Sequence, residues 1–294
     1  MIDYDPHHWL SHLMDIKGSM VREIMGRVLA CVLWSALVVA FAKHGNDIVM
    51  IPTTIHSLVG VALGLLLVFR TNVSYDRYWE GRRMWGNIIN ASRDLARASS
   101  VYLANDPARR DAVIRWTIAY AHAALGTFRG SVTLGPVGET FSAETRRSVL
   151  ESRSIPLAVA ARIAGELAAA RDDGVISDVV LAHLDLDVRQ LTDSLGACER
   201  IKKTPMPFAY VVHLRRALIL YCFTLPFGLV KEYGWGTVLD TLLISYVFFG
   251  VEEIGVEIEN PFGQDDNDLP LEQFYATIEA DLLALIPPET ALVR

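Results

Sequence analysis

The sequence is poor in cysteine and holds no recognisable catalytic or metal-binding motif. Its three cysteines, Cys31, Cys198 and Cys222, are an odd number in apolar or helical stretches, without C-x-x-C or Cys/His spacing. This pattern argues against a disulfide framework and against a structural zinc site. G-x-S-x-G, H-E-x-x-H, Walker and dinucleotide-binding motifs are also missing. We therefore expect a protein that is not an enzyme and that requires no cofactor.

A basic surface and strand-like alternation are missing as well. The 294-residue chain carries a net charge of −7, and from Glu252 onward Arg294 alone opposes the acidic residues. A nucleic-acid partner requires a basic face, which this charge distribution does not provide. No segment alternates polar and apolar residues with a period of two, so helices are expected throughout.

Long apolar runs are what the chain has instead. Hydrophobic residues make up 52% of the sequence, and its mean hydropathy is +0.29. They collect in four segments, at about Val28–Phe41, Met50–Phe69, Ala217–Val230 and Thr237–Gly250. A helix needs about 20 apolar residues to cross a bilayer, so residues beside the shorter segments must extend them. The short links KHGND and KEYGWG join the four segments into two hairpins.

Basic residues mark one end of the hairpins. Arg22 and Arg27 precede the first apolar segment and Arg70 and Arg77 follow the second, whereas the linking loops are nearly neutral. By the positive-inside rule, the loops lie outside and both termini lie in the cytoplasm. The expected fold is therefore an all-α membrane protein, with four transmembrane segments in two hairpins and a helical cytoplasmic domain.

The predicted organisation has five parts. They are an N-terminal cytoplasmic segment (1–18), the first hairpin (19–70), the cytoplasmic domain (71–206), the second hairpin (207–251) and an acidic cytoplasmic C-terminal segment (252–294). Apolar spacing predicts cytoplasmic helices up to about Leu103 and over Val113–Phe128, Ala143–Leu150, Pro156–Arg171, Ser177–Ala197 and Leu271–Leu285. Asp106, just before Pro107, and Ser177 are the expected helix caps.

The second apolar segment carries a narrow stripe. Val61, Leu65 and Phe69 follow one another at the i, i+4 spacing of one helix face. Gly60 and Gly64 beside them form a G-x-x-x-G pair, which lets helices approach closely in lipid. Neither proline nor glycine interrupts 65–80, so the helix is expected to continue past Arg70. An apolar stripe of this kind is more often simply buried or lipid-facing than functional.

An acidic turn follows the fourth segment. After a Pro-Phe-Gly sequence come Asp265, Asp266, Asn267 and Asp268. Carboxylates and an amide on one turn are suitable ligands for a hard cation, although the EF-hand pattern is absent. The alternative is a solvated acidic cap for the next helix.

Three blocks of the chain together resemble the bestrophin family of ion channels. They are FRTNVSYDRYWEGRRMWG, ACERIKKTPMPFAY and ENPFGQDDNDLPLEQF. The blocks occur in order, each at the cytoplasmic end of a predicted membrane segment, and the likeness covers nearly the whole chain. The compact length resembles that of bacterial members, which implies a bacterial inner membrane.

The resemblance implies a homopentamer around a single axial pore. Val61, Leu65 and Phe69 match the positions that line a hydrophobic neck, and Met206 matches a second constriction at the cytosolic exit. The calcium clasp of animal members matches Glu257, Asn260, Asp265 and Asp268, with Glu257 where those members carry glutamine. Gln264 and Asn267 interrupt the otherwise acidic run. A divalent cation at this turn is therefore an option rather than a requirement.

The resemblance leaves the charge of the conducted ion open. Animal bestrophins pass anions, whereas a bacterial relative passes sodium. Since a hydrophobic neck does not select by sign, the flanking charge must do so, and the acidic C-terminal segment favours monovalent cations such as sodium. A chloride channel of the same fold is the alternative. A membrane-anchored scaffold or signalling protein, with residues 71–204 as its active part, is the alternative from another class.

Overall fold

The computed structural model describes residues 18–44 and 51–287. This part of the chain contains nine α-helices and no β-strand. The helices are α1 (Val21–Lys43), α2 (Thr53–Tyr102), α3 (Pro107–Arg129), α4 (Ala143–Leu150), α5 (Ile155–Asp172), α6 (Asp178–Lys203), α7 (Phe208–Tyr233), α8 (Gly236–Glu257) and α9 (Leu271–Leu283). Nearly all of the predicted N-terminal segment and the end of the acidic C-terminal segment lie outside the described residues.

The chain divides into two compact units. The first comprises Met1–Trp79 with Thr204–Asp268, and the second comprises Glu80–Lys203 with Leu269–Arg294. Helix α2 contributes its beginning to the first unit and its end to the second, because it runs without a break for 50 residues. The prediction that this helix continues past Arg70 is confirmed.

The first unit packs α1, α7, α8 and the start of α2 around one apolar core. Its buried residues come from all four helices, among them Val28, Leu67, Leu218 and Phe249. Polar contacts add to this packing: the Thr241 hydroxyl donates to Ser35 Oγ at 3.2 Å. Both hydroxyls are fully buried.

Three described helices, α1, α2 and α7, are long and apolar enough to cross a membrane. Helix α8 forms as predicted, but every 18-residue stretch within Gly236–Glu257 contains Asp240, Glu252 and Glu253. Glu252 is 1% exposed, and its carboxylate accepts from Arg27 Nη1 at 3.2 Å and Arg215 Nε at 3.0 Å. The acidic end of α8 therefore packs against α1 and α7 as a neutralised cluster.

The second unit is built around α3. Asp106 caps this helix by accepting from the Arg109 amide at 3.1 Å, and Pro107 occupies its first turn, as predicted. Ser177 likewise caps α6 through the Val180 amide at 3.4 Å. The buried Tyr120 hydroxyl of α3 donates to the Leu191 carbonyl at 2.9 Å and so joins α3 to α6.

Helix boundaries in the second unit match the predictions closely, with two exceptions. Helix α4 has the predicted bounds, whereas α6 runs six residues beyond the predicted end at Ala197, to Lys203. A 3-10 helix, Pro136–Thr140, lies in what the sequence indicated only as a turn-rich loop. The prolines around Met206 do stop the chain from continuing as a helix, since α7 begins only at Phe208.

Candidate functional site

The first half of α2 has two faces with opposite surroundings. On one face, Leu63 and Leu67 are 3% and 2% exposed in the apolar core. On the other, Val61, Leu65 and Phe69 are 74%, 56% and 55% exposed. The predicted neck residues thus form a continuous apolar stripe that no other described helix of the same chain covers. The direction in which these three side chains point is fixed, because the opposite face of α2 is packed in the apolar core.

The two glycines beside this stripe behave differently. A Cβ atom on Gly60 would lie 2.7 Å from the Tyr221 hydroxyl, so glycine lets the Tyr221 side chain of α7 pack directly against α2. A Cβ atom on Gly64 would meet nothing within 4 Å. Gly60 therefore has a close neighbour, but that neighbour is a side chain of α7 in the same chain and not the backbone of another helix. Gly64 has no such neighbour within the described chain.

The charged residue Arg70 directly follows the stripe and is buried. Arg70 is only 1% exposed, and its Nη2 donates to Glu259 Oε2 at 3.2 Å. Its Nη1 lies 3.2 Å from the sulfur of Met206. From the sequence Arg70 is predicted as a basic flank at the inner end of the stripe and not as a buried ion-pair residue, because its partner lies 189 residues further along the chain. The one available signal was the abrupt change from an uncharged run to arginine.

The predicted exit residue, Met206, lies between two prolines and is half-buried. Its sulfur also accepts a long contact of 3.9 Å from Ser74 Oγ, and its amide donates to Glu259 Oε1 at 3.0 Å. The turn continues into α7, where the Tyr210 hydroxyl donates to the Leu66 carbonyl at 2.8 Å. The end of the stripe and the predicted exit residue are therefore held together within one unit.

The acidic turn has an internal organisation of its own. The buried Asp268 carboxylate accepts from the Asp265 amide at 2.7 Å. Gly263 passes so close to this carboxylate that a side chain could not be accommodated there. The Asn267 amide group donates to Glu257 Oε1 at 2.8 Å and to the Gly18 carbonyl at 3.0 Å. Asn267, which interrupts the acidic run, therefore serves as a structural bridge.

Three of the four clasp-like residues face one cleft. Glu257, Asn260 and Asp265 line a space of about 850 Å³ together with residues at the start of α1. Asp268 does not line it, because its carboxylate is directed into the turn. In residues 18–44 and 51–287, no three side chains of the His, Cys, Asp or Glu type converge as a metal site would require. The cleft thus offers five carboxylates, those of Glu23, Glu253, Glu257, Asp265 and Asp266, together with the Asn260 amide.

The chain resembles known proteins over almost its entire length. Residues 1–284 match the family model for bacterial and fungal bestrophin proteins. The voltage-dependent anion channel-forming protein alr2987 of Nostoc sp. is 38% identical over 95% of this chain and 93% of its own length. The YneE protein of Escherichia coli K12, which carries the same descriptive name, is 35% identical over 97% of this chain and 94% of its own.

A solved structure shares the fold as well. The crystal structure of a bacterial bestrophin homologue from Klebsiella pneumoniae superposes with a TM-score of 0.83 at 29% identity. The match covers 90% of this chain and 98% of that one. The similarity therefore includes the apolar helices of the first unit and the helical second unit alike.

Proposed function

This chain belongs to the bacterial and fungal bestrophin family, and from that membership we propose that it forms an ion channel with a hydrophobic neck in the bacterial inner membrane. The observation that carries the proposal is the exposed apolar stripe on α2, directed outward by a helix whose other face is packed. Channels of this kind need no catalytic group, in keeping with a sequence that holds no catalytic motif.

The proposed assembly is a homopentamer in which α2 of each copy faces a common axis. Five copies of the stripe would then form three stacked apolar rings, at Val61, Leu65 and Phe69. Helices α1, α2, α7 and α8 would cross the bilayer in two hairpins, with both termini in the cytoplasm. Helix α8 could cross despite its carboxylates, because Glu252 is neutralised by arginines at the inner end.

Apolar rings can stop ions without a physical plug, because water leaves a narrow apolar constriction. Replacing Val61, Leu65 and Phe69 together with alanine is therefore expected to raise single-channel current severalfold in planar bilayers. The exposed stripe Leu29, Leu33 and Leu37 of α1 provides a matched control, since these residues are 53%, 57% and 64% exposed. Alanines there are expected to leave the current unchanged. Equal effects of the two triple variants would remove the neck from the proposal.

The conducted ion is proposed to be a small monovalent anion such as chloride. The names of the relatives favour anions, against the sodium expected from the acidic C-terminal segment. The structure weakens that charge argument, because several of these carboxylates are paired. Glu252 and Glu253 contact Arg27, and Glu259 contacts Arg70. Paired carboxylates contribute little net field to a nearby pathway.

Reversal potentials in asymmetric sodium chloride test this choice. We expect the potential to follow the chloride gradient, and to remain unchanged when potassium replaces sodium. A reversal potential that follows sodium would overturn the anion assignment and leave the channel itself in place. No current at all from well-folded protein would favour the membrane-anchored scaffold.

A divalent cation at the acidic cleft stays a prediction. Glu257, Asn260 and Asp265 line the cleft, whereas Asp268 is committed to the turn. The same recordings with added calcium, in the parent and in a Glu257→Gln, Asp265→Asn variant, test it. An equal response in both proteins would rule out a calcium role for Glu257 and Asp265.

A further inference from the structure

Arg70 is a charged residue in a place that is costly for a charge. Its side chain is 1% exposed and directly follows Phe69, the last residue of the stripe. A buried charge needs a partner of opposite sign and several hydrogen bonds. Glu259 supplies the opposite charge at 3.2 Å. Gly255 packs directly against this side chain, since a Cβ atom there would lie in van der Waals contact, 3.4 Å from Arg70 Cγ and Nε.

The partner carboxylate reaches the predicted exit residue by a second route. Glu259 uses Oε2 for Arg70 and Oε1 for the backbone amide of Met206, at 3.0 Å. Arg70 in turn places Nη1 at 3.2 Å from the Met206 sulfur. Backbone and side chain of Met206 are thus both tied to one ion pair. The closed path runs from Arg70 to Glu259, to Met206 and back to Arg70.

A second arginine on α2 braces the same turn. Arg77 Nε donates to the Glu259 carbonyl at 3.1 Å, and its Nη1 donates to the Thr204 carbonyl at 2.5 Å. These two contacts hold the chain against α2 at two points, at Glu259 near the acidic turn and at Thr204 just before Met206. A flexible methionine side chain would otherwise sample several rotamers.

We propose that Arg70 and Glu259 are a positioning pair that fixes Met206 relative to the last ring of the neck. The proposal rests on the proposed channel function and deepens it. Because one ion pair touches both the end of the stripe and the exit residue, a tilt of α2 that widens the neck must also move Met206. The two constrictions then open as one unit instead of as two independent gates.

Conductance measurements on combined variants test whether the two constrictions are coupled. Met206→Ala is recorded in planar bilayers in the parent and in a Glu259→Gln background, which removes the charge and keeps the side-chain shape. If Arg70 and Glu259 position Met206, the current of the double variant is expected to depart from the product of the two single-variant effects by about two- to tenfold. Arg70→Lys serves as a second background, because it keeps the charge and loses the fork geometry.

The matched control is Glu252→Gln. This carboxylate is also buried and also pairs with arginines, Arg27 and Arg215, but it does not contact Met206. Its effect on current is expected to multiply with that of Met206→Ala within about twofold. A departure of the same size in this background would mean that any weakened ion pair perturbs the exit.

A measurement without current separates the inference from the channel function. The protein is labelled with 13C-methyl methionine, and the Met206 methyl signal is assigned by Met206→Leu. We expect this signal to shift and sharpen in Glu259→Gln and to stay in place in Glu252→Gln. An unchanged signal together with multiplicative currents overturns the positioning role. If the parent passes no current, the channel proposal fails, and the methyl signal alone decides whether the pair positions Met206.

Discussion

Helices α1 and α3 are both 23 residues long, yet they are buried to very different extents. Helix α3 buries 14 of its residues within the second unit, whereas α1 buries six within the first. The exposed residues of α1 include five large apolar side chains at a spacing of four, namely Met25, Leu29, Leu33, Leu37 and Phe41. An apolar side chain is therefore not always buried within its own chain, because lipid or another copy of the protein can cover it instead.

Helix α2 unites both characters. Its first half leaves Val61, Leu65 and Phe69 exposed, as α1 does with its own apolar stripe. Its second half buries Trp85 and Leu95 completely, as α3 does with its residues. Arg70, which is buried, lies between the part of α2 with the exposed stripe and the part that is packed. The stability effect of a substitution in these helices is therefore expected to depend on the side chain's surroundings and not on its hydrophobicity.

The largest difference is expected between two truncations of equal chemical size, one in α3 and one in α1. Ile118 of α3 is fully buried and Leu33 of α1 is 57% exposed. Ile118→Ala is expected to cost about 2–5 kcal/mol, because it leaves a cavity in a packed core. Leu33→Ala is expected to cost less than about 1 kcal/mol. Thermal unfolding of the purified proteins in detergent measures both, and equal losses would contradict the comparison.

The two glycines of α2 provide a smaller but cleaner contrast. Gly60→Ala places a methyl group 2.7 Å from the Tyr221 hydroxyl and is expected to cost about 1–3 kcal/mol, because the packed Tyr221 side chain must shift. Gly64→Ala meets nothing within 4 Å and is expected to stabilise the helix by up to about 1 kcal/mol. Thermal midpoints in detergent show whether Gly60→Ala lowers the stability and Gly64→Ala raises it. Adding Tyr221→Phe should rescue Gly60→Ala partly, and a failure to do so would show that the close contact is not the cause.

Local features of this fold were predictable from the sequence. The spacing of apolar residues placed the helices of both units, and Asp106 and Ser177 cap α3 and α6 as expected. Such features depend on neighbours within a few residues of the chain. The unbroken course of α2 followed in the same way from the absence of proline and glycine over 65–80.

Features that depend on distant partners were not predictable. The i, i+4 spacing identified a stripe at Val61, Leu65 and Phe69, but spacing does not reveal which face of a helix another element covers. The ion pair between Arg70 and Glu259 joins residues 189 positions apart. Each residue read singly resembled an ordinary membrane flank or an acidic surface. The hydrogen bond of the Asp268 carboxylate within its own turn was not predictable either, since it depends on the path of the backbone.

The smallest expected effect concerns an exposed ion pair at the start of α9 in the second unit. Arg129 donates to both carboxylate oxygens of Glu272, at 2.5 and 3.1 Å, and this contact lowers the pKa of the Glu272 carboxyl below its usual value. A lowered folded-state pKa stabilises the fold above the pKa of the unfolded chain, and this contribution is lost as pH falls through the folded value. Because the Glu272 side chain is 60% exposed, the contribution should stay below about 1 kcal/mol.

The pair predicts a pH-dependent difference between the parent and Glu272→Gln. The variant's thermal midpoint should be slightly lower than the parent's at pH 7, and the two should converge as the solution is acidified below the folded pKa of Glu272. Glu144→Gln is the matched control, since Glu144 also lies in the first turn of a helix, α4, but forms no ion pair in the described part of the chain. Its difference from the parent should be smaller at pH 7, because only the helix dipole favours that carboxylate. Equal differences for Glu144 and Glu272 would assign the whole effect to the helix terminus and none to Arg129.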